Sequence, residues 1–527
     1  MKGLILNLMF FSVLGLSAQN IEVVSRSMNL GNAFENNAST TQVTVYNPGI
    51  FPVEITDVDL FEIYGDIPFT VSDTAFILMP QDTQSFTVSF LPEHNIMHST
   101  ALILKTNSGF GHVPVQLSGQ GKYSNTYYSA TENMEEEALK GALKTKLAQG
   151  YNSLGYTSAR DNMYSAIDNS GGTVECVYTG RTANFTTRAG ANSNSFNCEH
   201  TFPQGFFNQN EPMRSDIHHL FPTDVTSNSK RGNDPFGVVT NASWQVGGSK
   251  SGGNTFEPRD VHKGACARAM MYFVIRYQDY SNHFSGQESI LRAWHNTYKP
   301  SAAEQSRNNQ IAALQTSRNP FVDYPQFEER ITSFVSNSVA PTVNSLYYSD
   351  DTIRLRPSAG RFEYEFVFYN NGNQTVNLSN FTLSDTSLHF EPGPVLTLTI
   401  PPGDAATVRI SYESSNTYLA TLGFDTDIPG QPSKMVPINS TAKIGVEESV
   451  VTTQHFNLYP NPAQETVFLD VAEEQISFVD ILDISGLMRK VVVQNGQVDI
   501  ASLPVGLYFV RVTTESGKIM IRKLLKE

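Results

Sequence analysis

Cysteine and tryptophan are scarce in this chain, whose 527 residues include three Cys and two Trp. So few cysteines exclude a scaffold held together by disulfides, and without a Cys-x-x-Cys spacing nothing indicates a zinc site. Cys176, Cys198 and Cys266 all lie in the central third of the chain. In an oxidising compartment Cys176 and Cys198 are the pairing favoured by proximity, and three buried thiols are an equally good interpretation.

Long hydrophobic runs are also missing. The longest apolar stretch, Leu4 to Leu16, follows Met1-Lys2 and precedes Ser17-Ala18-Gln19. A positive start, an apolar centre and small residues, in that order, predict a secretory signal peptide over residues 1–18 with cleavage near Ala18. No other segment approaches the roughly 18 apolar residues that a membrane-spanning helix needs. We therefore expect an exported protein without a transmembrane segment.

Positive charge is in deficit, with 36 Lys and Arg against 51 Asp and Glu and a net charge of −15. The deficit is uneven, because residues 123–338 contain 19 Lys and Arg and 20 Asp and Glu. A uniformly acidic protein would repel nucleic acid, whereas a near-neutral domain can hold a basic groove. A mixed, solvated surface explains the counts equally well. The candidates for the groove are Arg214, Lys230, Arg231, Lys263 and Arg268.

Changes of composition along the chain predict several domains, as its length also favours. Alternating patterns before Lys122 give way to helical patterns from Thr131, alternation returns after Pro341, and a last break lies near Glu447. We divide the chain into the signal peptide (1–18), a first β-sandwich (19–122), a central domain (123–338), a second β-sandwich (339–445) and a C-terminal domain (446–527).

An internal repeat supports this division. Residues 43–49 (VTVYNPG) lead to Val53-Glu54-Ile55, and residues 366–372 (FVFYNNG) lead to Val376-Asn377-Leu378 at the same spacing. In both copies apolar and polar residues alternate and Asn/Gly turns separate short strands, a pattern that predicts antiparallel, immunoglobulin-like sandwiches. The first copy also resembles, over residues 21–121, a family of short sandwich domains that end in Gly-x-Gly. Spacer modules and binding modules are both compatible with this pattern.

The central domain combines helical and extended patterns. Helical patterns begin near Thr131, Ser158, Gly264 and Pro300, and residues 173–178 alternate as a strand does. We therefore predict an α+β domain.

Three short blocks of this domain carry the residues suited to chemistry: residues 197–203, 215–222 and 228–233. They supply a carboxylate, an imidazole, an amide oxygen and a fixed cation, the set needed to cut a phosphodiester with one hard metal ion. His200 can accept a proton from an attacking water near neutral pH. Glu199 and Asn228 can give two oxygens to Mg²⁺, with Mn²⁺ or Ca²⁺ as alternatives, and leave the other positions to water and phosphate. We interpret His218 and His219 as structural.

Together with Phe256-Glu257-Pro258 and residues 318–325 (RNPFVDYP), these blocks resemble the bacterial endonuclease I family. The resemblance implies a secreted nuclease with a ββα-metal (His-Me) finger, in which His200 is the general base and Glu199 and Asn228 hold the metal. Arg231 is a candidate phosphate ligand because its planar fork fits phosphate.

One departure from the family concerns an arginine. Members of the better-known subtype carry it in an insertion after the Glu-His motif, a segment that here spans only Gln204 to Arg214. No arginine can be assigned by position, and Arg214 is a candidate stand-in for substrate binding.

The C-terminal domain has a resemblance of its own. Tyr459-Pro460-Asn461-Pro462, Gly506-Leu507-Tyr508 and the basic ending at residues 518–526 are similar to type IX secretion sorting domains. Strands separated by Pro, Asn and Gly turns predict a small β-sandwich. The resemblance implies recognition by the type IX secretion machinery, passage through the periplasm, and release or attachment at the cell surface.

The sequence thus predicts a secreted, metal-dependent endonuclease that acts on DNA, or on RNA as well. We expect little sequence specificity, because no base-reading helix or dimer half-site is indicated. The alternative is a cell-surface adhesin or binding protein in which the sandwiches act and the finger is a vestige. The oligomeric state is left open.

Overall fold

A computed structural model describes this protein over residues 21–49, 52–61, 67–107, 109–355, 361–413, 417–440, 457–471, 476–483, 488–491, 493–494, 496–514 and 519–526. The predicted signal peptide lies outside these ranges. The chain divides into two compact units, Met1–Thr441 and Ala442–Glu527. In the described ranges, no helix is both long enough and apolar enough to cross a membrane.

Nine strands at the start of the larger unit form a β-sandwich. One sheet has the order β1-β3-β7-β5 and the other the order β2-β9-β8-β4-β6, and apolar side chains of both sheets share one core. The strands are β1 (Glu22–Val23), β2 (Ser27–Phe34), β3 (Ser39–Tyr46), β4 (Val53–Asp59), β5 (Phe69–Val71), β6 (Phe76–Leu78), β7 (Thr83–Phe90), β8 (Met97–Thr106) and β9 (Val113–Lys122).

Helices and short strands alternate in the central domain, as the sequence predicts. Its helices are α1 (Glu136–Ala148), α2 (Gly155–Asn162), α3 (Arg188–Ser193), α4 (Val225–Arg231), α5 (Asp260–Arg276), α6 (Glu288–Thr297), α7 (Ala302–Gln315) and α8 (Pro320–Asp323). Its strands are β10 (Asn169–Ser170), β11 (Thr173–Glu175), β12 (Thr182–Asn184), β13 (Phe196–His200), β14 (Leu220–Asp224), β15 (Trp244–Val246), β16 (Ser249–Gly252) and β17 (Thr255–Glu257).

Helix α5 is the centre of this domain. Nearly all its residues from His262 onward are buried, and helices α1, α6 and α8 pack against it. A helix buried on all sides carries apolar residues around its whole circumference, which explains the run Ala269 to Ile275.

Two predicted elements have different bounds in the structure. The pattern predicted as a helix from Ser158 is α2 followed by a π-helical turn, Met163–Ile167. The strand predicted over residues 173–178 ends at Glu175, because the backbone N–H of Cys176 bonds to the carbonyl of Arg181 and Gly180 closes a tight turn with φ +74°. All three cysteines are free thiols, so the Cys176–Cys198 bridge is absent.

The second sandwich repeats the first strand for strand. Its sheets have the orders β18-β20-β24-β22 and β19-β26-β25-β21-β23. In both sandwiches one pairing is parallel, β2 with β9 and β19 with β26. The strands are β18 (Leu346–Tyr348), β19 (Ile353–Arg354), β20 (Arg361–Asn370), β21 (Val376–Leu383), β22 (His389–Glu391), β23 (Thr397–Ile400), β24 (Ala405–Glu413), β25 (Leu419–Thr426) and β26 (Ser433–Asn439).

The repeat extends to individual hydrogen bonds. Asn47 and Asn370 are both fully buried, and their side-chain amides donate to the carbonyls of Leu78 (3.0 Å) and Ile400 (2.8 Å). Their side-chain oxygens accept from the backbone of the glycine two residues later. The internal repeat is therefore structural, and the immunoglobulin-like assignment of both sandwiches stays a prediction.

The two sandwiches are joined through one edge of β20. Glu365 exchanges two backbone hydrogen bonds with the segment Phe110–His112, of 2.8 and 3.0 Å. Arg26 forms an ion pair with the Glu365 carboxylate, and the rings of Phe61 and Tyr369 stack 3.9 Å apart. An open strand edge is thereby covered.

The smaller unit consists of two four-stranded sheets of order β27-β28-β32-β31 and β30-β29-β33-β34 over a common core. This agrees with the small all-β domain expected from the sequence. The strands are β27 (Asn457–Tyr459), β28 (Thr466–Asp470), β29 (Ile476–Asp483), β30 (Met488–Val491), β31 (Val493–Gln494), β32 (Gln497–Asp499), β33 (Gly506–Thr514) and β34 (Ile519–Lys526).

Candidate functional site

The predicted chemical residues lie on an antiparallel strand pair and the helix that follows it. Strands β13 and β14 pair in a register that sets Phe196 opposite Asp224 and His200 opposite Leu220. Helix α4 begins directly after β14, and the carboxylate of Asp224 caps it by accepting from the backbone N–H of Ser227 at 2.8 Å. Gly232, with φ +53°, ends the helix.

A cavity of about 430 Å³ opens beside this strand-strand-helix arrangement. Glu199, His200 and Asn228 all line it, so the structure brings together the three residues that the sequence singles out. Its wall also includes Tyr156, Arg160 and Asn197.

His200 is held in one tautomer. Its Nε2 atom lies 3.1 Å from the carbonyl oxygen of Arg214, and a carbonyl can only accept, so Nε2 carries the proton and Nδ1 is the unprotonated nitrogen. Burial, together with the neighbouring His219, lowers the pKa of His200 well below its usual value. The imidazole is therefore neutral and presents a basic nitrogen.

Glu199 is almost fully buried and has one oxygen to spare. Its Oε1 accepts from the hydroxyl of Tyr178 at 2.8 Å and lies 3.3 Å from Nη1 of Arg231. In the described part of the chain, Oε2 has no hydrogen-bond partner. Burial raises the pKa of Glu199, although Arg231 and Tyr178 oppose that effect. A divalent cation in the cavity would offset the cost of burying this charge.

Asn228 offers a second oxygen. Its Nδ2 donates to Oδ1 of Asn197 at 2.8 Å and to the carbonyl of Cys198 at 3.2 Å, which uses both amide hydrogens and leaves Oδ1 available. Among the described residues no group of three or more His, Cys, Asp and Glu could hold a metal ion. A pair of hard oxygens therefore fits an ion that keeps most of its waters, as Mg²⁺ does, better than one enclosed by protein ligands.

Arg231 is buried within the site and bonds to its backbone. Its guanidinium donates to the carbonyls of Thr201 at 2.6 Å and His200 at 3.3 Å, and lies 4.7 Å from the centroid of the Phe236 ring. The side chain is 1% exposed. Its phosphate-binding role stays a prediction, whereas the contacts it makes are those of a support for the Glu199-His200 backbone.

Arg214 contacts His200 through its backbone and Tyr156 through its side chain. Its carbonyl fixes the imidazole, and its guanidinium carbon is 4.4 Å from the centroid of the Tyr156 ring. The basic groove expected from residue counts is not formed as predicted, because Lys263 and Arg268 are buried and paired. Lys263 binds Glu257 and Asp260, and Arg268 binds Glu304 through two bonds of 2.7 Å.

His218 and His219 are buried in contacts with the protein itself. Their Nε2 atoms bond to the carbonyls of Ser317 at 3.0 Å and Met213 at 2.7 Å. These contacts agree with the structural interpretation of both residues.

Sequence reasoning missed three residues of the cavity wall. Asn197 has a signal that could have identified it, since residues two apart on a strand share a face and Glu199 follows it in β13. Tyr156 and Arg160 have no such signal, because they lie on α2, far along the chain from the Glu-His motif.

Comparison with known families supports the sequence analysis. Residues 135–326 match the family described as Endonuclease I, and residues 457–527 match the Secretion system C-terminal sorting domain. Both resemblances drawn from the motifs are thereby confirmed. The protein is a nuclease, and its sorting domain indicates a secreted or cell-surface location.

Two curated relatives are similar to part of this chain. The chain is similar to an extracellular ribonuclease of Bacillus subtilis (strain 168), 28% identical over 228 residues, which is 40% of this chain and 78% of the relative. It is also 28% identical over 229 residues to an extracellular ribonuclease of Bacillus amyloliquefaciens, again 40% of this chain and 78% of the relative. Among solved structures, the PapD-like domain 7 of human CEP192 is 16% identical, covers 24% of this chain and 99% of its own, and has a TM-score of 0.18, too low to support an argument.

Proposed function

We propose that this nuclease is a metal-dependent endonuclease that hydrolyses phosphodiester bonds of DNA and RNA with little sequence specificity. The observation that carries the proposal is the fixed tautomer of His200, which leaves Nδ1 unprotonated in a residue that lines the same cavity as Glu199 and Asn228. The strand-strand-helix order of β13, β14 and α4 supports the ββα-metal finger implied by the endonuclease I resemblance.

In the proposed reaction, His200 acts as the general base. Nδ1 takes a proton from a water as that water attacks phosphorus, and the bond from phosphorus to the 3′ oxygen breaks. The Nε2–H bond to the Arg214 carbonyl persists throughout and stabilises the imidazolium that forms. The leaving oxygen takes its proton from solvent.

Glu199 and Asn228 would hold the divalent ion through Oε2 and Oδ1. Bound there, the ion would neutralise charge on the phosphate and on the leaving oxygen. Tyr178 and Arg231 keep the Glu199 carboxylate in place by binding its other oxygen. Mg²⁺ is the ion that this donor set fits, with Mn²⁺ or Ca²⁺ as alternatives.

The substrate range rests on two observations. The cavity wall is polar and holds Asn, Gln and Arg side chains, which are suited to contacts with backbone phosphates. The curated relatives are extracellular ribonucleases, which supports RNA as a substrate beside DNA.

The test is cleavage of plasmid DNA and of a structured RNA by the full chain, with Mg²⁺, Mn²⁺ or Ca²⁺ and with EDTA. We expect cleavage that needs a divalent ion and falls by roughly 10² to 10⁴-fold in His200→Ala, the usual contribution of a general base. His295→Gln is the matched control, since His295 is buried in the same domain but binds the Pro325 carbonyl away from the cavity. If folded protein cleaves neither polymer with any of these ions, the nuclease proposal is wrong and a binding role for the sandwiches takes its place.

A further inference from the structure

The guanidinium groups of two arginines pack against the ring of Tyr156, which belongs to the cavity wall. The guanidinium carbons of Arg160 and Arg214 are 4.0 and 4.4 Å from the centroid of the Tyr156 ring. Tyr156 and Arg160 are one helical turn apart on α2, and Nε of Arg160 donates to the carbonyl of Tyr156 at 3.5 Å. The same tyrosine ring lies 5.4 Å from the ring of His200. We call Arg160 and Arg214 the arginine pair.

The arginine pair differs from the other arginines of the central domain. In the described structure, the terminal nitrogens of Arg160 and Arg214 contact no carboxylate, and Nε of Arg214 is buried with no hydrogen-bond partner. The other arginines of residues 123–338 form an ion pair with a carboxylate or donate through a terminal nitrogen to a backbone carbonyl: Arg181, Arg188, Arg231, Arg259, Arg268, Arg276, Arg292, Arg307, Arg318 and Arg330.

Two like charges on one ring, without a counter-ion, repel each other and lose part of their hydration. A cation–π contact offsets some of that cost and leaves the edges of each guanidinium open to donate hydrogen bonds. The ligand that would complete such a site is an anion with several acceptor oxygens. A phosphodiester backbone is that ligand in a nuclease cavity.

We propose that Arg160 and Arg214, positioned by Tyr156, bind backbone phosphates of the substrate next to the bond that His200 helps to cut. This inference rests on the proposed function. The sequence predicts Arg231 as a phosphate ligand. The inference assigns phosphate binding to Arg160, which precedes the Glu-His motif in the chain. Because guanidinium groups occupy the Tyr156 ring, the ring does not stack on a base, which agrees with low sequence specificity.

The experiment measures binding in EDTA by the full chain carrying His200→Ala, with fluorescently labelled single-stranded DNA, single-stranded RNA and duplex DNA over a range of salt concentrations. Removal of one phosphate contact lowers the slope of log K against log salt by about 0.7 for single strands and about 0.9 for duplex. We expect this change in Arg160→Ala with all three probes, because a backbone contact is independent of sequence. Arg160→Lys, which keeps the charge, should recover most of the slope.

Arg188→Ala is the matched control, because it removes the same charge from the same domain but from an exposed arginine paired with Asp161. Its slope should equal that of the parent. Tyr156→Leu changes no charge, and it should nevertheless lower the slope, since it releases both guanidinium groups.

The two proposals fail in distinguishable ways. If the wild-type chain cleaves and the slope of Arg160→Ala equals that of Arg188→Ala, the arginine pair is not a phosphate site and the nuclease proposal stands. If Arg160→Ala alone lowers the slope while the folded wild-type chain cleaves nothing, the phosphate site stands and the catalytic proposal is wrong. Absence of salt-dependent binding by folded protein overturns the inference.

Discussion

Nη1 of Arg231 and Oε1 of Glu199 lie 3.3 Å apart, and each side chain is only 1% exposed. Arg231 is thus the counter-ion of the carboxylate that we assign to metal binding. Its remaining hydrogen bonds go to the backbone of residues 200, 201 and 232, which places the end of α4 against the end of β13. These contacts hold the site together, and the phosphate-binding role predicted for Arg231 from the sequence stays a prediction.

Replacing Arg231 with Met should destabilise the larger unit strongly. It leaves the carboxylate of Glu199 buried without its cation, a loss of about 3–5 kcal/mol in the free energy of unfolding. This loss is measured by denaturant unfolding of three variants: Arg231→Met, Glu199→Gln and the double variant. The double variant should be more stable than the sum of the single effects predicts, and strict additivity would contradict the ion pair.

Glu199→Gln should abolish stabilisation by metal. A ligand that binds only the folded state stabilises it, by about 2.7 kcal/mol at a ligand concentration 100 times the dissociation constant. The unfolding temperature rises as a result. Thermal unfolding with and without Mg²⁺ should show this rise in wild type, a smaller one in Asn228→Ala and none in Glu199→Gln. Asp161→Asn is the control, since this half-exposed carboxylate on α2 pairs with Arg188. An unchanged metal response in Glu199→Gln would exclude Glu199 as a ligand.

The cap of α4 should matter to both stability and activity. Asp224→Ala removes the acceptor that binds the Ser227 N–H and should cost about 1–2 kcal/mol of stability. Because Asn228 lies on the same helix, cleavage should also fall. Asp224→Asn keeps an acceptor and should retain most of both properties. Equal losses in the two variants would mean that the charge of Asp224, rather than its cap, is what matters.

The larger unit should lose stability steeply in mild acid. Burial lowers the pKa of His262, His283 and His295 to about 3, and that of His218 and His219 to about 4. Below the unfolded pKa of about 6.5 the unfolded chain binds protons that the folded chain does not. The free energy of unfolding therefore decreases as the pH is lowered, by about 1.4 kcal/mol per pH unit for each such group. The loss should extend from about pH 6.5 down to the folded pKa values.

Thermal unfolding at several pH values measures this dependence. His262→Leu offers the sharpest comparison, because this ring packs on Tyr178 and Phe221 and its Nε2 has no hydrogen-bond partner among the described residues. The variant should unfold with a shallower pH dependence than wild type. A parallel pH dependence in both proteins would show that His262 does not contribute.

Gly111→Ala should open the junction between the two sandwiches. The residue has φ +86°, and a Cβ atom there would lie 2.0 Å from the carbonyl oxygen of Glu365. We expect faster proteolysis between the sandwiches and an unchanged cleavage rate, because the junction lies outside the cavity wall. Gly286→Ala is the control, as its added methyl group meets no atom within 4 Å from the described residues beyond its own stretch of chain. A protease pattern equal to wild type would contradict the junction.

The sequence alone determined the three residues of the proposed centre and the order of the domains. Glu199 and His200 are neighbours, and Asn228 follows on a helix that Asp224 starts and Gly232 ends, so a single strand pair and one helix assemble them. The repeat was likewise visible, since Asn47 and Asn370 stand at equivalent turns. Local patterns suffice for such features because the contacts that create them are close in the chain.

Only the tertiary structure decided what each cation does. Arg231, Lys263 and Arg268 are all charged and near the motifs, yet each is buried and forms an ion pair with a carboxylate of another element: Glu199, Glu257 and Glu304. Arg160 belongs to no recognised motif. In the folded chain its guanidinium packs against the Tyr156 ring near His200, and among the described residues it has no carboxylate partner. The role of a guanidinium depends on which acceptors come within about 3 Å of it, and in a folded chain most of those acceptors come from distant segments.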